Sequence, residues 1–483
     1  MKRRKALKQI GIGLSAGMFM PQFLASCKKE NAGPEIPFNG NVIVIGAGAA
    51  GLYAADILRI KGINVTVLEA ASQPGGRVRS LRNQTNVQYQ TFSTASQADF
   101  PVELGAEIIY GSDSSWGKIV SDLRIPTNEL SLTAPRYILG NTAKSSADLL
   151  NDNDFKDVQS FVNGLPNFSG GGSIKDAAPV SAQAQALLNS LVGNFYGSSI
   201  DRIGASGLAE SLKLIKHDNK QLVTQANPWQ DVLISRFSEM LAGVQFNTVV
   251  KSIDWGSDVV TITDSNGKQY TAKKVIVTIP LASLKSGGIG FNPVLPASTT
   301  SAMANFGMDA SVRMVLDFKK NFWGNDSSFL WGGSTVPQYF NAGVSRSKFY
   351  RTMSLTIYGQ KALQLSSLPD DYNRTLQVLA ELDTIYAGQG TQYIRRDLDN
   401  SNNATNILSL VKDWGKDEFT KGGFSYPLVG ATLQHRKDLA APLSDKLFFA
   451  GEATDFSGDA GSVSGALNSA VRVAEEVVKS ITG

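Results

Sequence analysis

Apolar runs that read as strands alternate along this chain with stretches that read as helices, and the sharpest instance comes early. Asn41-Val42-Ile43-Val44-Ile45 predicts a strand, Leu52-Tyr53-Ala54-Ala55-Asp56-Ile57-Leu58 a helix, and Val65-Thr66-Val67-Leu68 a second strand. Leu81 to Pro101 is rich in Asn, Gln, Ser and Thr and predicts a long loop or hairpin. From Ser146 to about Ala242 the pattern turns helical, with pieces at Ala182–Leu191, Ala205–Ile215 and Trp229–Leu241, broken by Gly170-Gly171-Gly172 and Pro228. Val249–Ile253, Val259–Ile262 and Tyr270–Ile279 alternate like strands, with Asn266-Gly267 as a hairpin turn. Leu447 onward predicts a strand and a long closing helix. No internal repeat is evident.

Glycine placement gives the first unit a purpose. Gly46-Ala47-Gly48-Ala49-Ala50-Gly51 sits between strand and helix, and Glu69 ends the second strand twenty-three residues after Gly46. In such a unit the first glycine allows the tight turn, the second lets backbone approach a pyrophosphate, and the third lets helix pack on strand. The phosphates then lie at a helix N-terminus, and an acid at Glu69 can hydrogen-bond a ribose. The strand, the helix and the acid fall in register, so the unit reads as a dinucleotide site.

The segments Glu69-Ala70 with Gly75-Gly76-Arg77, then Val102-Glu103-Leu104-Gly105-Ala106, and finally Leu447–Thr454 with Gly465–Ala470 resemble the FAD-dependent amine oxidases. That family holds monoamine and polyamine oxidases, L-amino-acid oxidases and flavin histone demethylases. The resemblance runs from about Asn41 to the C-terminus and is thin from about Ala143 to Gln225. It implies an α/β fold of the glutathione-reductase-like FAD type. A Rossmann-like FAD-binding domain (41–115, 230–290 and 430–483) would be interleaved with an α+β substrate-binding domain (116–229 and 291–429). It also implies FAD contacts from Gly46, Gly48, Ala50, Gly51, Glu69, Ala70 and Gly76. Arg77 would touch phosphate, Gly105 and Ala106 would lie at the flavin edge, and Val250 would give a backbone contact to adenine. Trp414 matches a family residue near the flavin. Gly451 and Glu452 with Ser462 and Val463 would hold the ribityl and pyrophosphate end.

The chain departs from the family where the chemistry occurs. A lysine usually found ten residues before the tryptophan of a Phe-Trp pair is here Arg313, ahead of Phe322-Trp323. Arginine keeps its charge and offers a rigid fork, so Arg313 would replace the lysine's charge, pair with a substrate carboxylate, or simply bond across the domain interface. Of the two aromatic rings that flank a substrate amine in the family, Phe424 supplies one, and the other position is Gly461. That gap implies room for a bulkier substrate or the turning of a different ring into the site. Tyr426 fits the core as well as the site. Glu107 and Tyr110 follow Gly105-Ala106, where an acid would attract a cation.

The resemblance therefore implies an oxidoreductase that converts a primary or secondary amine, or an L-amino acid, to an imine, with oxygen as acceptor and hydrogen peroxide as by-product. A dehydrogenase or desaturase of a non-amine substrate, or an envelope flavoprotein without catalysis, are the alternatives. Cys27 is the one cysteine. Relatives that bind flavin through a cysteine thioether have no counterpart at Gly422-Gly423-Phe424, so noncovalent FAD is expected. The two histidines, His217 and His435, furnish no metal site by themselves.

The N-terminus reads as a leader. Met1-Lys2-Arg3-Arg4-Lys5-Ala6-Leu7-Lys8 is basic, Gln9 to Phe23 is uncharged and moderately apolar, and Leu24-Ala25-Ser26-Cys27 looks like a lipoprotein signal-peptidase box. Arg3-Arg4 resembles a twin-arginine signal, with an ordinary lipoprotein signal as the alternative. Either route predicts an exported, periplasmic or envelope lipoprotein whose only membrane attachment is a lipid on Cys27, tethered through Lys28 to Gly40. The formal charge of +4 also changes without the leader, since 41 basic residues then face 42 acidic ones. A nucleic-acid partner loses its electrostatic basis.

Overall fold

The computed structural model describes residues 36–81, 102–130, 134–344, 351–397, 406–407 and 409–483. The expected leader with Cys27 and the polar segment 82–101 lie outside them. Among the described residues no helix is long and apolar enough to cross a membrane.

The first sheet is parallel, in the order Val244–Gln245, Asn64–Leu68, Asn41–Ile45, Lys274–Val277, Leu447–Phe449. Its central strand explains the unbroken run Val42 to Ile45, because both faces are covered. Val42 and Val44 point into a core shared with helix Ala49–Ile60 and the C-terminal helix Val463–Thr482. Ile43 and Ile45 point the other way, onto a four-stranded sheet built by Val250–Asp254, Val260–Asp264, Gln269–Ala272 and Gly290–Asn292. The C-terminal helix buries Leu467, Ala470, Val473, Ala474 and Val477, the spacing of a single helical stripe. Alanines 49, 50, 54 and 55 keep the first helix thin where it meets that stripe and the sheet.

Three elements differ from their sequence reading. The run Tyr270–Ile279 is two strands, Gln269–Ala272 in the antiparallel sheet and Lys274–Val277 in the parallel one. Periodicity cannot mark the switch, because both halves alternate. The hairpin turn itself is at Asn266-Gly267, where the Asp264 carboxylate accepts from the Asn266 and Lys268 amides. Within the helical region, Gln221–Thr224 is a strand in a three-stranded sheet with Ile109–Tyr110 and Thr127–Glu129. The expected helix Trp229–Leu241 breaks at Phe237 into Trp229–Arg236 and Ser238–Leu241.

The large second sheet has seven strands, ordered Ser409–Asp413, Ser311–Asp317, Thr352–Tyr358, Gln338–Asn341, Phe329–Trp331, Arg136–Leu139, Thr142–Ser145. One face packs Val312, Met314, Leu316, Leu355 and Ile357 against helices Gly359–Ser366 and Asp371–Ile385. The other face presents Ser311, Arg313, Gln338, Phe340, Thr356 and Tyr358 to a cavity. The carboxyl ends of the parallel strands open into the same cavity, the usual place for a ligand in such a sheet.

Candidate active site

The cavity measures about 1320 Å³, beyond the roughly 300–1,000 Å³ of ordinary small-ligand sites. Of the positions singled out from sequence, Gly46, Gly48, Ala50, Glu69, Ala70, Gly76, Arg77, Gly105, Ala106, Val250, Arg313, Trp414, Phe424, Gly451, Glu452, Ser462 and Val463 all line it. Gly51 does not, and the reason is local. A Cβ at Gly51 would stand 1.9 Å from the Gly46 carbonyl oxygen, so this glycine serves helix-to-strand packing. Gly48 is different. Its φ of −79° and ψ of −175° suit any residue, and a Cβ there would meet nothing nearer than the Gly75 carbonyl at 3.9 Å. The protein itself does not require that glycine, whereas a ligand lying against the backbone would.

The surroundings of Gly48 fit a pyrophosphate. It is the N-cap of helix Ala49–Ile60 and makes no side-chain cap bond, so the first-turn amides carry the positive end of the helix toward the cavity. Glu69 accepts from the Ala47 amide at 2.6 Å and the Ala71 amide at 2.8 Å. Each oxygen keeps a second acceptor site for a ribose hydroxyl. Val250 sits at a bulge, where the ladder to Val260–Asp264 skips Lys251. Such an irregularity re-aims backbone, and Val249, Val250 and Lys251 all reach the cavity. The second helix start is less open, because Ser462 caps it by accepting from the Gly465 amide at 3.0 Å.

Arg77 and Glu452 are turned to each other. Arg77 Nη1 donates to Glu452 Oε1 at 2.8 Å and to the Gly423 carbonyl at 3.0 Å. Glu452 also accepts from the Ser425 hydroxyl at 2.6 Å and the Gly461 amide at 3.0 Å. Burial would raise this carboxyl, but Arg77, Ser425 and Arg436 outweigh it and hold it below its ordinary value. The Glu452 side chain thus ties the Gly75-Gly76-Arg77 turn to the loop that carries Phe424, at the cavity wall.

Phe424 has an aromatic neighbour the sequence did not suggest. Phe424 meets Tyr358 edge to face, with centroids 4.9 Å apart and planes at 68°. Position 461 leaves no spare room, because a Cβ there would come within 2.7 Å of Phe424 Cδ2. The ring fills the gap expected at Gly461, and Tyr358, sixty-six residues upstream, packs against its other side on the cavity wall. Tyr426 is 1% exposed and its hydroxyl accepts from Arg202 Nε at 2.8 Å, which makes it a core residue. Trp414 donates from Nε1 to the Leu104 carbonyl at 2.7 Å.

Arg313 is only 4% exposed. Its Nε donates to the Glu103 carbonyl at 3.1 Å, one terminal nitrogen to the Thr356 hydroxyl and the other to Glu107 Oε2. Glu107 accepts as well from the Ser354 hydroxyl at 3.1 Å. The two charges pair with each other in the cavity wall. The arginine fork is therefore engaged by protein groups, not held open for a substrate carboxylate, and Glu107 is not a free attractor for a cation.

Beneath this pair lies a second acid that sequence reading passed over. Glu103 is buried, accepting from the Ser80 hydroxyl at 2.6 Å and the Trp229 amide at 2.8 Å. Burial pushes its carboxyl from the ordinary 4.5 up to about 8, against the pull of those two donors. A raised folded-state pKa contributes stability that is complete below about 4.5 and is lost as pH climbs through about 8. Glu103→Gln, which keeps the bond from the Trp229 amide and can donate to the Ser80 hydroxyl in place of accepting from it, should remove that slope, at most about 1.4 kcal/mol per pH unit. Melting temperatures of the two proteins from pH 5 to pH 9 are the check, and parallel curves would refute the assignment.

His217 Nε2 lies 3.1 Å from Asp459 Oδ1, and His435 caps helix Leu433–Ala440 with Thr432. Among the described residues no group of His, Cys, Asp and Glu is arranged to hold a metal.

The sequence profile of flavin containing amine oxidoreductases matches residues 231–478, just over half of the chain. That of NAD(P)-binding Rossmann-like domains matches residues 44–123. Lysine-specific histone demethylase 1 homolog 3 of Arabidopsis thaliana is 26% identical over 518 residues, covering 90% of this chain and 30% of that protein. Lysine-specific histone demethylase 2 of Homo sapiens is 25% identical over 484 residues, covering 92% of this chain and 54% of that one. The chain thus spans about half the length, or less, of these curated relatives. Putrescine oxidase bound to putrescine superposes with a TM-score of 0.73 at 17% identity, covering 91% of this chain and 99% of that chain. Cyclohexylamine oxidase from Brevibacterium oxydans gives the same score and identity over 92% and 99%. At that identity the likeness establishes a common fold.

Proposed function

Because the chain belongs to the flavin containing amine oxidoreductases, flavoenzymes acting on amines, we propose that it binds FAD noncovalently and oxidises a primary or secondary amine to an imine. Written for a primary amine, R–CH2–NH2 and O2 give R–CH=NH and H2O2, and water then releases the aldehyde and ammonia. When bound, the flavin supplies the acceptor for the hydride equivalent leaving the carbon that bears nitrogen. The chain's own residues bind, orient and exclude water. Gly48, the first-turn amides and Glu69 hold the nucleotide end, while Tyr358 and Phe424 together present one aromatic wall to the amine. The observation that carries the reading is the single cavity joining the Gly48 cradle to the Tyr358–Phe424 pair. The Arg313–Glu107 pairing favours an amine over an amino acid, since the arginine's charge is already met. Among the described residues there is no cysteine, which supports a noncovalent flavin.

Anaerobic mixing of the flavin-loaded protein with panels of amines and L-amino acids, followed by admission of oxygen, is the test. Bleaching by amines and then peroxide is expected. Flavin that stays oxidised against both panels would overturn the proposal in favour of a non-amine substrate.

A further inference from the structure

The cavity wall contains a largely buried amide side chain that the protein leaves unused. Strand Gln338–Asn341 pairs with Phe329–Trp331 through Gln338 and Trp331, and with Thr352–Tyr358 through Tyr339 to Leu355 and Phe340 to Ser354. One more step along that ladder sets Gln338 beside Thr356, which in turn pairs with Arg313. Side chains alternate along strands, so Gln338, Thr356, Tyr358 and Arg313 share the cavity face, and all four line it. The Thr356 hydroxyl is taken by Arg313, and Arg313 by Glu107. Asn194, also on the lining, is used at both ends, donating to the Thr356 carbonyl and accepting from the Tyr358 amide, each at 2.9 Å.

Gln338 is 9% exposed, yet among the described residues its amide has no hydrogen-bond partner. Its amide atoms are accessible from the cavity, so a ligand able to pair with them takes the place of water there. Its neighbours suit a polar but uncharged group. Trp331, directly across the ladder, packs on Phe195 at 6.2 Å, and Phe195 meets Tyr110 at 5.4 Å and Tyr196 at 4.9 Å. Neither tyrosine hydroxyl has a partner among the described residues. Burial pushes the Tyr196 phenol up to about 12 and raises that of Tyr110, so both stay neutral donors. The wall's carboxylate, Glu107, is already neutralised, which leaves a second ammonium without a counter-charge there.

We propose that Gln338 determines specificity, its amide receiving an uncharged hydrogen-bonding group, an amide, carbonyl or hydroxyl, on the tail of the amine substrate. The inference rests on the amine-oxidising function above. Strand geometry places the Gln338 and Tyr358 Cα atoms roughly 8 Å apart, within the span of a short-chain amine.

The test compares kcat/KM for δ-aminovaleramide, n-hexylamine and cadaverine in the flavin-loaded full chain and in Gln338→Leu and Gln338→Glu. The unmodified protein should favour the amide over the alkylamine by about tenfold. Gln338→Leu should bring that ratio close to one, and Gln338→Glu should move preference toward cadaverine by about tenfold. Should the leucine variant fail to fold, the shift in the near-isosteric glutamate variant decides. Ratios that stay the same across all three proteins overturn the role of Gln338 while leaving amine oxidation intact. Failure of every amine to bleach the flavin, even in the unmodified protein, overturns both.

Discussion

Arg313→Met should lower the free energy of unfolding by about 3–5 kcal/mol, read as a fall in the urea midpoint, because it leaves Glu107 buried without its counter-charge. The Glu107 side chain is 9% exposed and Arg313 is 4% exposed, so water reaches them only from the cavity side and replaces few of the lost bonds. The Thr356 hydroxyl and the Glu103 carbonyl lose their donor at the same time. Arg313→Lys keeps a charge but replaces a three-way fork by a single ammonium, and an intermediate loss is expected. The decisive variant is the double one. Arg313→Met with Glu107→Leu removes both charges, and should be far less destabilised than the sum of its parts, with a coupling of about 1–3 kcal/mol. Additive losses would mean that the pair is not an electrostatic unit, and would reopen Arg313 to a direct role toward the substrate.

That pair also marks the limit of what the sequence could disclose. The unit from Asn41 to Glu69 was legible because its signals are local: an apolar strand, glycines at fixed offsets and an acid at the end of the next strand. The closing strand and helix were legible for the same reason, since the helix carries its own stripe and its own cap. Arg313 could be located, but not its partner. Glu107 lies 206 residues away and meets it only through packing of the loop after Glu103 on the seven-stranded sheet. Tyr358 and Gln338 were missed for a related reason. Each sits in a strand where its neighbours are equally plausible lining residues, and only the sheet register selects the alternate positions that face the cavity. Gly461 was misread because an absent side chain was taken as space, whereas the ring of Phe424 already lies there. A glycine marks a close approach, and sequence does not say by what.

The same distinction makes Gly48 and Gly51 the sharpest probes of the cofactor site. Gly48→Val is expected to fold, because the backbone there is extended and a Cβ would have no protein atom within ordinary contact short of 3.9 Å. Valine as N-cap should cost no more than about 1 kcal/mol. Its branches, however, would project from the turn that a pyrophosphate must approach. FAD affinity should drop by roughly two orders of magnitude, about 2.7 kcal/mol, in a fluorescence titration of the apoprotein. Gly51→Val should do the reverse. Its Cβ would press on the Gly46 carbonyl at 1.9 Å, backbone against backbone with nothing flexible to yield. Overpacking there should cost about 3 kcal/mol or more and reduce the yield of folded protein before cofactor is added. A Gly48→Val protein that still bound FAD with unchanged affinity would show that the phosphates do not pass this turn, and the cradle would have to be sought elsewhere in the cavity. Two glycines three residues apart would then differ only in packing, and the open space beside Gly48 would have no ligand to account for it.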